Sequence, residues 1–146
     1  SVLLIQENFG SLVLLWMMLL IWGMDTGAYF VGKKIGGPKM SPKISPNKTW
    51  SGLIGGTITA MILAYVFYMF AEVQNITIFE NALILLILSG SLAILSQIGD
   101  LTESAVKRRY SVKDSGSIIP GHGGVMDRVD GILFVAPAIL FIASFM

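Results

Sequence analysis

Three acidic residues lie where apolar stretches meet polar sequence, and their spacing could support metal chemistry. Asp127 and Asp130 are three residues apart in "MDRVDG", so both are expected on one face of the first turn of a helix. Asp100 follows the apolar run "LILLILSGSLAILSQIG", near the end of another predicted helix. If these helix ends converge, the three carboxylates could hold Mg²⁺ together with waters and phosphate oxygens. A metal held there would neutralise the charge of a polyphosphate.

The polar sequence around Asp100 predicts a further part of this site. If the helix continues without a break, its periodicity places five polar residues on one face: Ser96, Asp100, Glu103, Ser104 and Lys107. A cation beside Asp100 would offset the unfavourable meeting of a carboxylate with the carboxyl end of the helix dipole. The alternative is an ordinary interfacial charge cluster, in which Lys107, Arg108 and Arg109 anchor the helix at the membrane surface.

Asp25 is the acidic residue expected deepest in an apolar environment. It stands in "WGMDTGAYFVG", about 20 Å along a helix that starts near Leu12. An ionisable side chain at this depth is costly and is a functional candidate by default. The alternative is a structural hydrogen bond to a neighbouring helix.

Two basic loops supply groups that suit an anion. In "GGPKMSPKISPNKTWSG" the prolines predict a defined path for the chain. In "KDSGSIIPGHGG" the glycines permit close approach of backbone N–H groups to an anion, and His122 could donate to a phosphate or move a proton. The alternatives are a solvated basic loop and a structural histidine.

Composition indicates which elements must position these residues. The chain has 146 residues, of which 54% are hydrophobic and 13% charged, whereas a soluble domain carries about 25% charged residues. The mean hydropathy is +0.75, which is typical of a membrane protein. The absence of cysteine excludes disulfides and thiolate metal sites.

Four segments are long enough to cross a bilayer, which needs roughly 20 mostly apolar residues. None of them alternates as a strand would, so we predict an all-α, polytopic membrane protein with two active-site loops. The approximate spans are Leu12 to Val31, Gly52 to Phe70, Ala82 to Gly99, and Val129 to Phe145, the last with Pro137 as a kink.

The basic residues predict the orientation of the chain. All 10 lysines and arginines fall between Lys33 and Lys48 or between Lys107 and Arg128. Four crossings would put these two regions on one side, and the positive-inside rule makes that side cytoplasmic. The predicted pocket therefore faces the cytoplasm and suits a phosphate-bearing ligand with a divalent metal. A cation transporter would also use membrane carboxylates and stays an alternative at this point.

One long motif resembles a known family. The stretch "SAVKRRYSVKDSGSIIPGHGGVMDRVD", Ser104 to Asp130, is similar to the signature of the phosphatidate cytidylyltransferase, or CDP-diacylglycerol synthase, family. The stretches "DTGAYFVGKKIG", "SPNKTWSG" and "QIGDLTES" resemble the same family. The resemblance runs from about Trp22 to the C-terminus. It implies that residues 1–146 form a single transmembrane catalytic domain, the C-terminal half of a longer protein.

The resemblance also implies a reaction and a set of roles. CTP and phosphatidic acid would give CDP-diacylglycerol and pyrophosphate, with Mg²⁺ required and K⁺ as an optional second ion. The implied metal ligands are Asp100, Asp127 and Asp130. The implied catalytic residues are these three aspartates and Lys107. The residues expected to bind substrate are Asp25, Ser45, Asn47, Lys48, Thr49, Arg108, Lys113, Asp114, His122 and Arg128. Family members often have Ser where this chain has Gly131, so no hydroxyl role is expected at that position.

The expected partners are CTP, phosphatidic acid and the lipid bilayer, with a homodimer as a further expectation and no nucleic acid. The expected location is the inner membrane of a bacterium. A related CTP-dependent enzyme acting on another lipid, such as a polyprenol-like or archaeal ether lipid, is the main alternative. The transporter alternative is weaker, because a pore gains nothing from so many loop donors.

Overall fold

The computed structural model describes residues 2–74, 81–109 and 126–143. Their elements, in chain order, are helix α1 (Val2–Ile35), strands β1 (Lys39–Ser41) and β2 (Ser45–Thr49), and helices α2 (Trp50–Val73), α3 (Ala82–Arg109) and α4 (Met126–Ala143). The four predicted apolar segments correspond to the four helices. The predicted all-α architecture is therefore confirmed, with one short hairpin added to it.

Helix α1 is longer than the sequence pattern predicts. The predicted membrane-crossing start near Leu12 is confirmed by the candidate span Ser11–Ile35, and the helix itself extends further back, to Val2. The first residues contain no proline, and apolar side chains begin at once, so nothing local ends the helix there. Its carboxyl end is marked by Gly36 and Gly37, which have positive φ angles of 67° and 103°. Gly36 N–H donates to the Gly32 carbonyl at 3.0 Å, which satisfies a terminal carbonyl of the helix.

The proline-containing loop forms a small antiparallel hairpin. Lys39 pairs with Thr49 and Ser41 pairs with Ser45, with an irregularity between them. Pro46 is tolerated in β2 because a two-stranded hairpin consists of edge strands, where a missing N–H costs little. The defined path predicted from the prolines is thereby confirmed, although the strands themselves carried no alternation that would predict them.

Helices α1 and α2 pack at very short range through small residues. A Cβ atom added to Gly27 would lie 2.4 Å from Thr59 Oγ1, and one added to Gly56 would lie 2.6 Å from the Met24 carbonyl oxygen. Only glycine fits such a contact, and dispersion between closely approaching backbones is a main source of helix association in lipid.

The buried core lies among α1, α3 and α4 as well as along this contact. Trp16 donates its indole N–H to Ser89 Oγ of α3 at 3.2 Å, so a buried polar group is satisfied across two helices. The largest apolar side chains that are fully buried in the described part of the chain are Met17, Leu20, Met24, Leu85 and Val135. This core holds α1 and α3 in fixed positions, and both helices carry predicted site residues near their carboxyl ends.

Among the described residues, three helical segments are long and apolar enough to span a membrane: Ser11–Ile35, Trp50–Val73 and Ala82–Arg109. The 18 described residues of α4 include three charged ones, Asp127, Arg128 and Asp130. On α2 the large side chains Ile54, Ile58 and Ile62 are exposed. An apolar surface of this kind suits contact with lipid.

Candidate functional site

A cavity of about 250 Å³ lies where α1, the hairpin, α2 and α3 meet. It is smaller than the roughly 300–1,000 Å³ of a complete small-molecule site, so the described walls suit one part of a larger ligand. The lining residues come from four separate elements: Asp25, Ala28, Tyr29, Asn47, Lys48, Thr49, Gly52, Leu53, Gln97 and Asp100. Five of the predicted site residues thus lie at one place: Asp25, Asn47, Lys48, Thr49 and Asp100.

An ion pair between Lys48 and Asp100 crosses the cavity. Lys48 Nζ of β2 contacts Asp100 Oδ2 of α3 directly. Asp100 is the more open partner, with 33% of its side chain exposed against 17% for Lys48. The pair ties the hairpin to α3 and leaves the carboxylate accessible from the cavity. A half-buried pair of this kind depends on both partners, since removal of one leaves an uncompensated charge.

Asp25 faces the same cavity from α1. Its side chain is exposed, and it lies within electrostatic range of both Asp100 and Lys48. Two carboxylates and one ammonium group therefore face one another, which gives the described walls an excess of one negative charge. The alternative of a structural hydrogen bond from Asp25 to a neighbouring helix stays a prediction.

Three of the four residues predicted to form the substrate-binding loop line the cavity, and one does not. Asn47 is exposed and lines the cavity beside Lys48. Thr49 lines it too, but its buried hydroxyl is the N-cap of α2 and accepts from Gly52 N–H at 3.1 Å. Ser45 begins β2 opposite Ser41 and is not a lining residue. Substrate contacts by these hydroxyls remain a prediction.

The continuous polar face predicted for α3 is confirmed. The helix runs unbroken to Arg109, Ser104 Oγ lies 3.5 Å from Asp100 Oδ1, and Lys107 Nζ lies 2.8 Å from Glu103 Oε1. Lys107 is thus paired within its own helix and does not line the cavity. Arg108 donates from Nε to the Ile44 carbonyl at 3.4 Å, so the two basic regions touch, as their predicted common side requires.

The main chain of α4 begins close to this site. Phe134 of α4 packs against Gly99, since a Cβ added to Gly99 would lie 2.6 Å from the Phe134 ring. Asp130 is four residues from Phe134, or about 6 Å along the helix axis, and Asp100 is adjacent to Gly99. The side chains of Asp127, Arg128 and Asp130, and all of Lys113, Asp114 and His122, lie outside the described residues. Within the described part of the chain no three potential metal ligands cluster.

Two cavity residues with polar side chains, Tyr29 and Gln97, were not among the predicted site residues. Gln97 is buried on α3, three residues before Asp100, and Tyr29 lies four residues after Asp25 on α1. Helical spacing from each aspartate was the signal that could have found them. Neither residue type is distinctive in an apolar helix, so sequence alone did not separate them from the core.

Comparison with known proteins assigns the chain to a family. The model of the cytidylyltransferase family matches residues 1–146, the whole length of the chain. The chain belongs to the cytidylyltransferase family. The resemblance drawn from the Ser104 to Asp130 motif is thereby confirmed, and membership of this family supports the enzyme over a transporter.

Named bacterial relatives are similar over most of the chain. A Bacillus subtilis (strain 168) protein named phosphatidate cytidylyltransferase is 45% identical over 138 residues, which are 94% of this chain and 49% of the relative. A Haemophilus influenzae protein of the same name is 45% identical over 128 residues, or 88% of this chain and 44% of the relative. The chain therefore spans about half the length of these two curated relatives.

Proposed function

We propose that this chain provides the catalytic region of a phosphatidate cytidylyltransferase. The reaction transfers the cytidylyl group of CTP to phosphatidic acid and releases pyrophosphate. The observation that carries the proposal is the cavity crossed by Lys48 and Asp100, at the basic end of membrane-spanning helices in a chain of the cytidylyltransferase family. Residues 1–146 would act as one transmembrane domain, and a CTP-dependent enzyme for another lipid is the alternative that the experiment below separates.

The site is arranged for two substrates of opposite solubility. The last turns of α1 and α3 carry Lys33, Lys34 and three consecutive basic residues from Lys107. These groups attract the triphosphate from water, because a cluster of one charge raises the local concentration of its counter-ion. The exposed apolar faces of the helices keep phosphatidic acid beside the same site in the bilayer. By the positive-inside rule this end faces the cytoplasm of a bacterial inner membrane.

The residues present fit a magnesium ion in their chemistry. Asp100 offers a partly exposed carboxylate, and the main chain of α4 at Asp130 lies about one helical turn from the contact beside Asp100. Asp100, Asp127 and Asp130 would hold the ion, with K⁺ as a further prediction. When bound, Mg²⁺ supplies charge neutralisation for the phosphates. Lys48 can donate to a phosphate oxygen, since its amine donates in any direction.

The reaction needs positioning more than proton transfer. A phosphatidate phosphate oxygen forms a bond to the α-phosphorus of CTP, while the bond from that phosphorus to the oxygen bridging to the β-phosphate breaks. Pyrophosphate leaves with the bonding electrons. Because the nucleophile is already an anion, no general base is required. Lys48 orients and screens phosphate oxygens, and Asn47 can hydrogen-bond them, as in other phosphoryl transfers. Lys107, Lys113, Asp114, His122 and Arg128 remain predicted contributors, and the homodimer remains a prediction.

The experiment uses membranes from cells that express this protein and CTP labelled in either the α- or the γ-phosphate. With phosphatidic acid and Mg²⁺ present, α-label should enter the lipid extract, and γ-label should stay in water as pyrophosphate. Asp127→Asn should abolish the transfer while the protein stays inserted, and Glu72→Gln is the matched carboxylate control. Lipid labelling only with a different lipid phosphate would favour the alternative enzyme. No lipid labelling with any of them would contradict the proposal.

A further inference from the structure

The α1 wall of the cavity combines a carboxylate and an aromatic ring one helical turn apart. Asp25 and Tyr29 both line the cavity, and residues four apart lie on the same helix face. Tyr29 is 60% exposed as a residue, and Lys33 Nζ lies over its ring, 5.5 Å from the centroid. A planar ligand that stacks on the ring can therefore reach the carboxylate with its edge. Stacking of a base on an aromatic side chain contributes to nucleotide binding without distinguishing between bases.

The charges of the cavity indicate which part of a nucleotide lies at this wall. Asp25 and Asp100 face one ammonium group, Lys48, which already contacts Asp100. Phosphate oxygens would be repelled at Asp25, whereas an uncharged group that donates hydrogen bonds would be attracted. The phosphates therefore belong on the side of Lys48 and the basic helix ends. The uncharged base then occupies the side of α1, and the cavity volume of about 250 Å³ suits such a partial occupant.

An ionised carboxylate accepts hydrogen bonds and cannot donate them. The exocyclic amino group of cytosine is a donor, and aspartate or glutamate is a recognised partner for it. Uracil carries a carbonyl oxygen at the same position, so it would set lone pairs against the carboxylate. A site that requires a donor rejects the analogue lacking it far more strongly than an apolar pocket rejects a missing methylene.

We propose that Asp25 is the residue that selects cytosine, by accepting a hydrogen bond from the base amino group while the base stacks on Tyr29. This inference rests on the proposed function, because it names the part of CTP that the α1 wall binds. Gln97, buried on the opposite α3 wall, can complete the polar edge through its amide, but an amide can rotate to suit either base. Discrimination therefore belongs to Asp25.

The test compares CTP and UTP as substrates for the wild-type protein, Asp25→Asn, Asp25→Ser, Tyr29→Leu and Glu72→Gln, all in membranes. Amide and hydroxyl side chains can donate as well as accept. The CTP:UTP ratio of kcat/KM should therefore fall roughly tenfold to hundredfold in both Asp25 variants. Tyr29→Leu should weaken both nucleotides and preserve the ratio. Glu72→Gln, whose carboxylate accepts from Tyr68 at 2.8 Å on exposed α2 surface, should match the wild type.

Competition binding of CTP and UTP gives a second readout that needs no turnover. If the Asp25 variants are inactive, the same fall in the ratio of the two affinities supports the proposal. An unchanged ratio in either readout, or equal loss of both nucleotides, overturns it. The wild-type arm separates this inference from the proposed function. Absence of any lipid product from wild-type protein contradicts the function, whereas an unchanged ratio in active Asp25 variants contradicts only the role of Asp25.

Discussion

The two polar ends of the helix bundle differ in how their charged residues are placed. At the end that carries the lysines and arginines, Asp25, Lys48 and Asp100 come from three elements and face one cavity. Near the other end of α2, Glu72 accepts from Tyr68 of the same helix at 2.8 Å, on exposed surface. Both regions hold carboxylates near an apolar segment. Among the residues that the structure describes, the first end alone brings groups of opposite charge together from separate elements, and that convergence creates a site.

The cavity also differs from the tight contact between α1 and α2 at Gly27 and Gly56, which we call the seam. Gly27 and Gly56 bring α1 and α2 so close that a single added carbon would clash with the opposite helix. At Asp25, Gly52 and Leu53 the same helices border the cavity. The seam fixes the positions of the helices, and the cavity depends on those positions. Substitutions in the cavity should therefore lower activity, whereas substitutions in the seam should lower stability.

The largest expected effect comes from Asp100→Asn. Loss of the carboxylate removes the partner of Lys48 and a proposed metal ligand, so kcat for lipid labelling should fall at least about 100-fold. Glu72→Gln should lower it less than twofold, which makes the contrast between the two ends quantitative. Both variants are measured in the labelled-CTP assay at matched protein amounts. Similar activity in the two variants would show that the charged residues brought together at the cavity matter no more than Glu72 at the other end of the bundle.

Lys48→Met should have the next largest effect. A charged hydrogen bond to a phosphate contributes about 1.5–3 kcal/mol, so kcat/KM for CTP should fall roughly tenfold to hundredfold. Asp100 would then lack its partner in the free protein, and the affinity for Mg²⁺ should rise, because the metal no longer competes with an ammonium group. The Mg²⁺ dependence of activity measures this. A simple loss of activity with unchanged Mg²⁺ dependence would argue against competition at Asp100.

Gly56→Ala should have the smallest effect on the chemistry and act on stability instead. The added Cβ would meet the Met24 carbonyl at 2.6 Å, and overpacking of this kind costs roughly 1–3 kcal/mol. Gly90→Ala is the matched control, since its Cβ would lie 3.3 Å from the flexible Met61 sulfur. Thermal unfolding in detergent should show a clear decrease for Gly56→Ala and little change for Gly90→Ala. Equal decreases would show that the seam has no special role.

Much of the site followed from residue type and spacing. Asp25, Asn47, Lys48 and Asp100 were predicted as site residues, and all four line the cavity. The unbroken polar face of α3 was also predictable, because a helix repeats every 3.6 residues and no proline interrupts it. The extension of α1 before its membrane-crossing segment and the hairpin were not predictable, since hydropathy marks membrane crossings and carries little information about helix ends or short edge strands.

The sequence by itself determined the class of protein, the common side of the basic regions and the family. Each of these depends on composition, periodicity or motif residues that are adjacent along the chain. Only the tertiary structure decided that Lys48 pairs with Asp100 and that Tyr29 and Gln97 share a cavity with Asp25. Both contacts join elements far apart in sequence, so they depend on how closely the helices pack. The backbones of α1 and α2 approach most closely at glycines, whose role becomes visible only when the opposite helix is in place.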